Sequence, residues 1–345
     1  MNIYDQLFTL IEQLVLCHSP SGAEEQIDQL LLTQLNSLGR ESWQDPTGNI
    51  IVRIRGRSAD KAVAIATHKD EIGAIVKDID SRGRVKVEKL GGSYPWVYGE
   101  GIVDLLGDVQ TVSGVLCFGS RHVSSRALQH RQKHSQPVHW HDAWIETKCS
   151  LTELQLAGIR PGTRMVVGEH RKKPFRLKNH IASYGLDNKA SLAVLLVLAE
   201  TLKRPAYDTY LLATTREEVG ASGILYFTRR HEVTDLIALD ICPLAREYTI
   251  QDTDAPVIVV KDSHHIYDER LNQELVESAK EVELTPQLAL VTSFASDASV
   301  ASRQGQVARA SCVGFATENT HGYEIASLEA IASCVRLLQS FCEGR

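Results

Sequence analysis

Leucine and isoleucine recur at spacings of three and four over residues 3–17 and 22–38, so the chain opens on two amphipathic helices parted by Pro20-Ser21-Gly22. The period then changes. Ile50-Ile51-Val52-Arg53-Ile54 and Ala62-Val63-Ala64-Ile65-Ala66 are short, rich in β-branched residues and bounded by turn residues, as strands buried in a sheet would be. From about residue 187 the two patterns alternate. Helices are predicted over 188–203, 219–230, 267–283 and 327–342, and strands over 209–214, 235–239, 256–260 and 307–315. Such alternation argues a three-layer α/β domain.

Residues 72–118 break this pattern. Ile72, Ala74, Val76, Val85, Val87, Val103, Leu105 and Val115 fall in short alternating runs interrupted by Gly83, Gly91-Gly92, Gly101, Gly107 and Gly114. An all-β segment inside an α/β chain predicts an insertion. The expected division is 1–69 with 179–345 as one discontinuous α/β domain, and 70–178 as a small inserted β domain. The second half of the insertion is basic, with 12 Lys+Arg against 4 Asp+Glu over 120–180, and holds five histidines between His122 and His141. Nucleic acid or metal could bind such a stretch, but it lacks the regular spacing and aromatic interleaving of a binding module, which favours a solvated loop or a subunit contact.

The whole chain has 345 residues, 37 Lys+Arg and 43 Asp+Glu, a net charge of −6, and 43% hydrophobic residues. That is a globular composition, without the signature of a disordered or fibrous chain. The longest apolar run, Leu192 to Ala199, is far below the roughly 20 residues of a membrane span, so no membrane role is expected. The N-terminus reads as an amphipathic helix rather than a signal peptide. Seven cysteines without a CxxC pair argue against a disulfide framework and a thiolate zinc site, and favour the cytoplasm. GxSxG, GxxxxGK[ST], HExxH and GxGxxG are absent, so serine hydrolase, P-loop, zincin and dinucleotide-binding readings lose support.

What remains is acid and histidine at strand ends. The strand at 62–66 runs into His68-Lys69-Asp70, that at 209–214 into Glu217-Glu218, that at 235–239 into Asp240, and that ending near Phe315 into His321. In an open α/β sheet the carboxyl ends of the strands line the ligand crevice, so these residues are expected to face one cleft. His68 and Asp70 share a face in extended chain, which would let the carboxylate accept the free ring N–H and fix a metal-binding tautomer. Taken alone, His-x-Asp is commoner as a core histidine beside a turn cap. Glu217-Glu218 places two like charges at the mouth of a buried strand, a repulsion that a cation resolves, although a solvated acidic loop would also carry such a pair. Asp187 precedes an apolar helix and reads first as its N-cap. Asp240 ends an apolar strand, where a charge needs a reason.

Five segments together carry a stronger signal. THKDEIGAIV (67–76), YGLDNKAS (184–191), TTREEVGASG (214–223), ALDICP (238–243) and ENTHGYE (318–324) resemble, in order and spacing, the metal-site motifs of the M42 metallo-aminopeptidases, the family of glutamyl aminopeptidases, tetrahedral aminopeptidases and proteins once labelled endoglucanase M. The resemblance covers nearly the whole chain. It implies a zinc-peptidase-like α/β/α domain with an inserted β-barrel-like domain, and a dimetal aminopeptidase acting on peptides. It further implies that His68, Asp187 and Asp240 bind one metal, that Asp187, Glu218 and His321 bind the other, that Glu217 is the general base for a bridging hydroxide, and that Asp70 orients His68. Two divalent ions are then balanced by three carboxylates and one hydroxide. Zinc is the first expectation, with cobalt(II) or manganese as alternatives, since ligand types alone do not select the metal.

The chain departs from the family pattern at Lys189 and Ser191, where Arg and Gly are usual, at Ile145-Glu146-Thr147-Lys148, and at Ala295-Ser296-Asp297-Ala298. The resemblance implies a homo-oligomer, from dimer up to a twelve-subunit shell. Alternatives within reach are another amidohydrolase, such as an N-acyl amino acid deacylase, and a non-catalytic scaffold that binds an acidic partner through the basic 120–180 segment.

Overall fold

The computed structural model describes residues 2–344. An 11-stranded sheet forms the central layer. Its middle is parallel, in the order Tyr207–Thr214, Ser58–His68, Asp235–Pro243 and Arg309–Glu318. Antiparallel strands extend both flanks, Ile50–Ile54 and Ser42–Gln44 on one side, and Tyr323–Ser327, His180–Tyr184 and Phe175–Leu177 on the other. Val257–Lys261 and Gln287–Leu290 join off this path.

Side-chain alternation along the parallel strands divides the core in two. Val63, Ile65, Ile237, Leu239 and Ile241 pack with the Ile3–Leu16, Leu186–Thr201, Glu269–Glu281 and Leu328–Gly344 helices on one face. Ala64, Ala66, Leu236, Ala238 and Cys242 pack with Ser222–Thr228 and Asp297–Arg303 on the other. Three layers follow from the period of two on strands flanked by helices. Among the described residues no helix is long and apolar enough to cross a membrane.

The β segment closes into a six-stranded barrel, in the order Gly73–Ile79, Val85–Leu90, Trp144–Glu146, Thr111–Cys117, Gly101–Leu106 and Arg164–Val167. Ala74, Val76, Val85, Val103, Leu116, Ile145 and Met165 fill it. All six strands lie within the expected 70–178 interval, while Phe175–Leu177 near its end pairs into the large sheet. The histidine tract is an excursion between two barrel strands. It carries the half-buried Leu128–His134 helix, and among the described residues none of its histidines joins a group of three metal-binding side chains.

Several elements differ from the sequence-based expectation. The helix expected over 219–230 is a single turn at Glu217–Val219 followed by Ser222–Thr228, because Gly220 and Ala221 take left-handed backbone and break it. The strand expected to stop at residue 239 continues to Pro243, which puts Asp240 inside it. The Tyr323–Ser327 strand and the Asp297–Arg303 helix were not predicted. Each is short, and the strand exists because its neighbours supply hydrogen-bond partners.

A buried charge cluster joins barrel to sheet beneath the crevice. Lys172 Nζ donates to both Glu71 carboxylate oxygens at 2.7 Å and lies 3.1 Å from His18 Nδ1. Lys189 Nζ lies 3.2 Å from Glu71 and donates to the Cys17 carbonyl. His18 Nε2 in turn reaches Asp104 of the barrel at 3.2 Å. Burial opposes charge on Glu71, but the two ammoniums overcome it and hold the carboxyl at about 2, while burial pushes the Lys189 ammonium down to about 8. Lys172→Met leaves Glu71 underpaired in a dry site and is expected to cost about 3–5 kcal/mol in urea unfolding. Because the folded value for Glu71 lies below the unfolded value of about 4.3, its contribution is full above that pH and lost as pH falls toward 2. The variant should show a flatter acid limb.

Candidate metal centre

The carboxyl ends of the parallel strands deliver the expected residues to one place. Ser58–His68 ends on His68, Tyr207–Thr214 leads into Glu217 and Glu218, Asp235–Pro243 carries Asp240, and the turn after Arg309–Glu318 presents His321. Asp187 stands at the start of the Leu186–Thr201 helix. The N-cap reading of Asp187 is overturned: Asp187 and Asn188 have non-helical dihedrals, and the Asp187 carboxylate makes no cap bond but faces the two histidines.

Asp187 sits between the two halves of the cluster. Its Oδ1 is 3.0 Å from His68 Nε2 and its Oδ2 is 3.5 Å from His321 Nε2. His68 Nε2 lies 4.0 Å from Asp240 Oδ1, and His321 Nε2 lies 3.6 Å from Glu218 Oε1. Two groups of three donors result, His68–Asp187–Asp240 and Asp187–Glu218–His321, each with its ligand atoms within 4.8 Å of one another. His68, Glu217 and Glu218 form a third such group.

The donor set fits divalent cations on electrostatic grounds. Asp187 Oδ1 is buried without a properly directed hydrogen bond, although His68 is close. Burial pushes Glu217, Glu218 and Asp240 well above the usual carboxylate range, and neighbouring carboxylates push further in the same direction. Burial works against charge on His68, yet Asp187 and Asp70 beside it hold its pKa well above the usual value. Four carboxylates and two imidazoles crowded together in this way are costly alone and favourable around +2 ions. Oxygen and nitrogen donors without thiolate suit zinc, cobalt(II) or manganese.

Main-chain groups fix the ligands. His68 Nδ1 faces the Asp70 carbonyl at 3.1 Å, so that nitrogen carries the proton and Nε2 is left to bind. The Asp70 carboxylate, expected to make this contact, is the more distant partner at 3.6 Å. It instead accepts from the Glu217 N–H at 2.9 Å, the Glu218 N–H at 3.3 Å and the Ser21 hydroxyl, and so anchors the turn that carries both glutamates. Arg216 and Ala221 bracket that turn in left-handed backbone, a conformation that residues with a side chain adopt only uncommonly.

Three supporting features were not identified from the sequence. Glu324 accepts from the Asp187 and His321 N–H groups, both at 3.0 Å, and burial followed by Asp187 pushes it up to about 8. Asp297 lies buried against the Thr214 hydroxyl, and burial pushes it up to about 7. Gly92, from the barrel, accepts at its carbonyl from His321 Nδ1 at 3.2 Å. The acid at 324 stood inside a quoted motif, but only the fold shows what its carboxylate meets.

A Cβ at Gly92 would lie 2.6 Å from the His321 ring. Gly92→Ala is therefore expected to displace His321 and weaken one of two metal positions by about 10–100-fold, as for other disturbed supports of metal ligands. Chelator competition would read this as one weakened and one unchanged site.

The sequence pattern of the M42 glutamyl aminopeptidase family matches residues 48–337. YhfE of Bacillus subtilis (strain 168) is 26% identical over 351 residues, covering 97% of this chain and 96% of that protein. Aminopeptidase APDkam598 from the archaeon Desulfurococcus kamchatkensis superposes with a TM-score of 0.90 at 24% identity, covering 100% of this chain and 96% of that one. The TET1 peptidase of Pyrococcus horikoshii, which can assemble into a tetrahedron or a large octahedral shell, superposes with a TM-score of 0.84 at 19% identity over 100% of both chains.

Proposed function

The chain belongs to the M42 glutamyl aminopeptidase family and is a metallo-exopeptidase, and from that premise we propose that it removes N-terminal residues from peptides with two metal ions and Glu217 as the general base. The observation that carries this reading is the pair of three-donor groups sharing Asp187. His68, Asp187 and Asp240 would hold one ion, and Asp187, Glu218 and His321 the other. Zinc is the preferred assignment, ahead of cobalt(II) and manganese.

When bound, the ions supply Lewis acidity toward the scissile carbonyl, acidify water, and offer a free α-amine an anchor. Glu217 lines the cleft, and its backbone is held by Asp70. Its carboxylate takes a proton from the attacking water as the new C–O bond forms, then delivers it to the leaving nitrogen as the C–N bond breaks. Glu324 and Gly92 keep Asp187 and His321 in place during this cycle.

Residues 1–69 and 179–345 would perform the chemistry, and 70–178 would control assembly and substrate access. The TET1 likeness supports a homo-oligomer, and seven unpaired cysteines support a reducing compartment such as the cytoplasm. Elemental analysis of the purified protein, combined with amino acid p-nitroanilides set against their N-acetylated forms, tests the reading. Two metals per chain with turnover of the free-amine series is the expected result. Preference for the acetylated series would favour a deacylase, and two metals without turnover would favour the scaffold.

A further inference from the structure

We infer that the cleft selects peptides whose first side chain is large and apolar, such as leucine or phenylalanine, and rejects acidic and basic ones; this rests on the aminopeptidase reading and deepens it. The cleft beside the metal ligands encloses about 620 Å³. Beyond the metal-site residues its walls are formed chiefly by Tyr94, Trp96, Ile241, Tyr248, Phe294 and Val300. Among the described residues no Lys or Arg lines it, its carboxylates are Asp187, Glu217, Glu218 and Asp240, all of the metal centre, and His264 is its one histidine outside that centre.

The charges there leave no cation to spare. Two divalent ions would be balanced by Asp187, Glu218, Asp240 and a hydroxide, with Glu217 adding negative charge, so a substrate carboxylate would shed its water and meet no Lys or Arg. A substrate ammonium would have to compete with the ions for the same acids. An apolar side chain meets neither penalty.

The barrel adds the second half of the argument. Tyr94 and Trp96 are 57% and 58% exposed, with ring centroids 5.8 Å apart, and both face the cleft from the barrel segment that also positions His321. Large aromatic rings standing in solvent at the mouth of a reaction site offer apolar area to whatever enters. Phe294 and Val300 add apolar lining from the sheet domain.

The test has a binding arm and a turnover arm. Glu217→Gln protein loaded with zinc is titrated calorimetrically with the hydroxamates of L-leucine, L-phenylalanine, L-glutamate and L-lysine, and wild-type protein is assayed on the matching p-nitroanilides. Leucine and phenylalanine are expected at least tenfold ahead of glutamate and lysine in both arms. Val300→Arg is expected to raise glutamate relative to leucine by tenfold or more, and Trp96→Ala to raise KM for leucine and phenylalanine about fivefold with alanine little changed. Glutamate or lysine level with or ahead of leucine in binding, or no hydroxamate bound at all, overturns the inference. The expected binding order with no anilide turned over would sink the aminopeptidase reading and leave the selectivity of the cleft supported.

Discussion

Glu217→Gln is expected to lower kcat by about 10²–10⁴-fold, the usual worth of a general base, while two metals per chain remain bound. The amide keeps the shape of the side chain and the backbone bond to Asp70, but cannot take a proton. Metal content should persist because the paired donor groups are completed by His68, Asp187, Asp240, Glu218 and His321 without Glu217. A fall in kcat at constant KM, with elemental analysis unchanged, is the expected record. Retained turnover would remove Glu217 as the base, and loss of metal would instead make it a ligand, a role consistent with its place in the third donor group.

Asp187→Ala should be more damaging, because both donor groups use this one carboxylate. Each ion would be left with two protein ligands, and both should be lost at micromolar free zinc. The contrast with His68→Ala is diagnostic. That change spares Asp187, Glu218 and His321, so one ion should remain. Thermal unfolding with added zinc reads the same difference without any substrate. A ligand at 100 times its Kd stabilises the folded state by about 2.7 kcal/mol, so zinc should raise Tm for the wild type, raise it less for His68→Ala, and leave Asp187→Ala unmoved. A full zinc response in Asp187→Ala would show that the two groups do not share a bridge.

Much of this was legible in the chain because it is written in local periodicity. The apolar spacing of residues 3–17 reports a helix wherever it lies, and the alternating run from residue 72 reports an inserted β segment before its partners are known. The candidate metal ligands were legible for a different reason: acid and histidine at strand ends are ambiguous one by one, and it is the five motifs in order that, through their family resemblance, single out His68, Asp187, Glu218, Asp240 and His321. Asp187 was ambiguous because a carboxylate before a helix has a cheap local role, and only contact with His68 and His321, far away along the chain, excludes it.

By itself, the sequence determined the layers and the insertion, since each depends on residue type and on spacings of two to four positions, while the candidate donors stood out only through five ordered motifs that resemble those of a known family. The tertiary structure alone decided which groups hold those donors. Gly92 meets His321 across 229 positions, Glu324 meets the Asp187 N–H across 137, and Lys172 meets Glu71 across 101. It also decided that the Asp70 carboxylate supports the glutamate turn, and that barrel aromatics wall the cleft of another domain. The physical reason is that hydrogen bonds and ion pairs act over about 3 Å in space, and no local pattern records which distant residues the folded chain brings within that range.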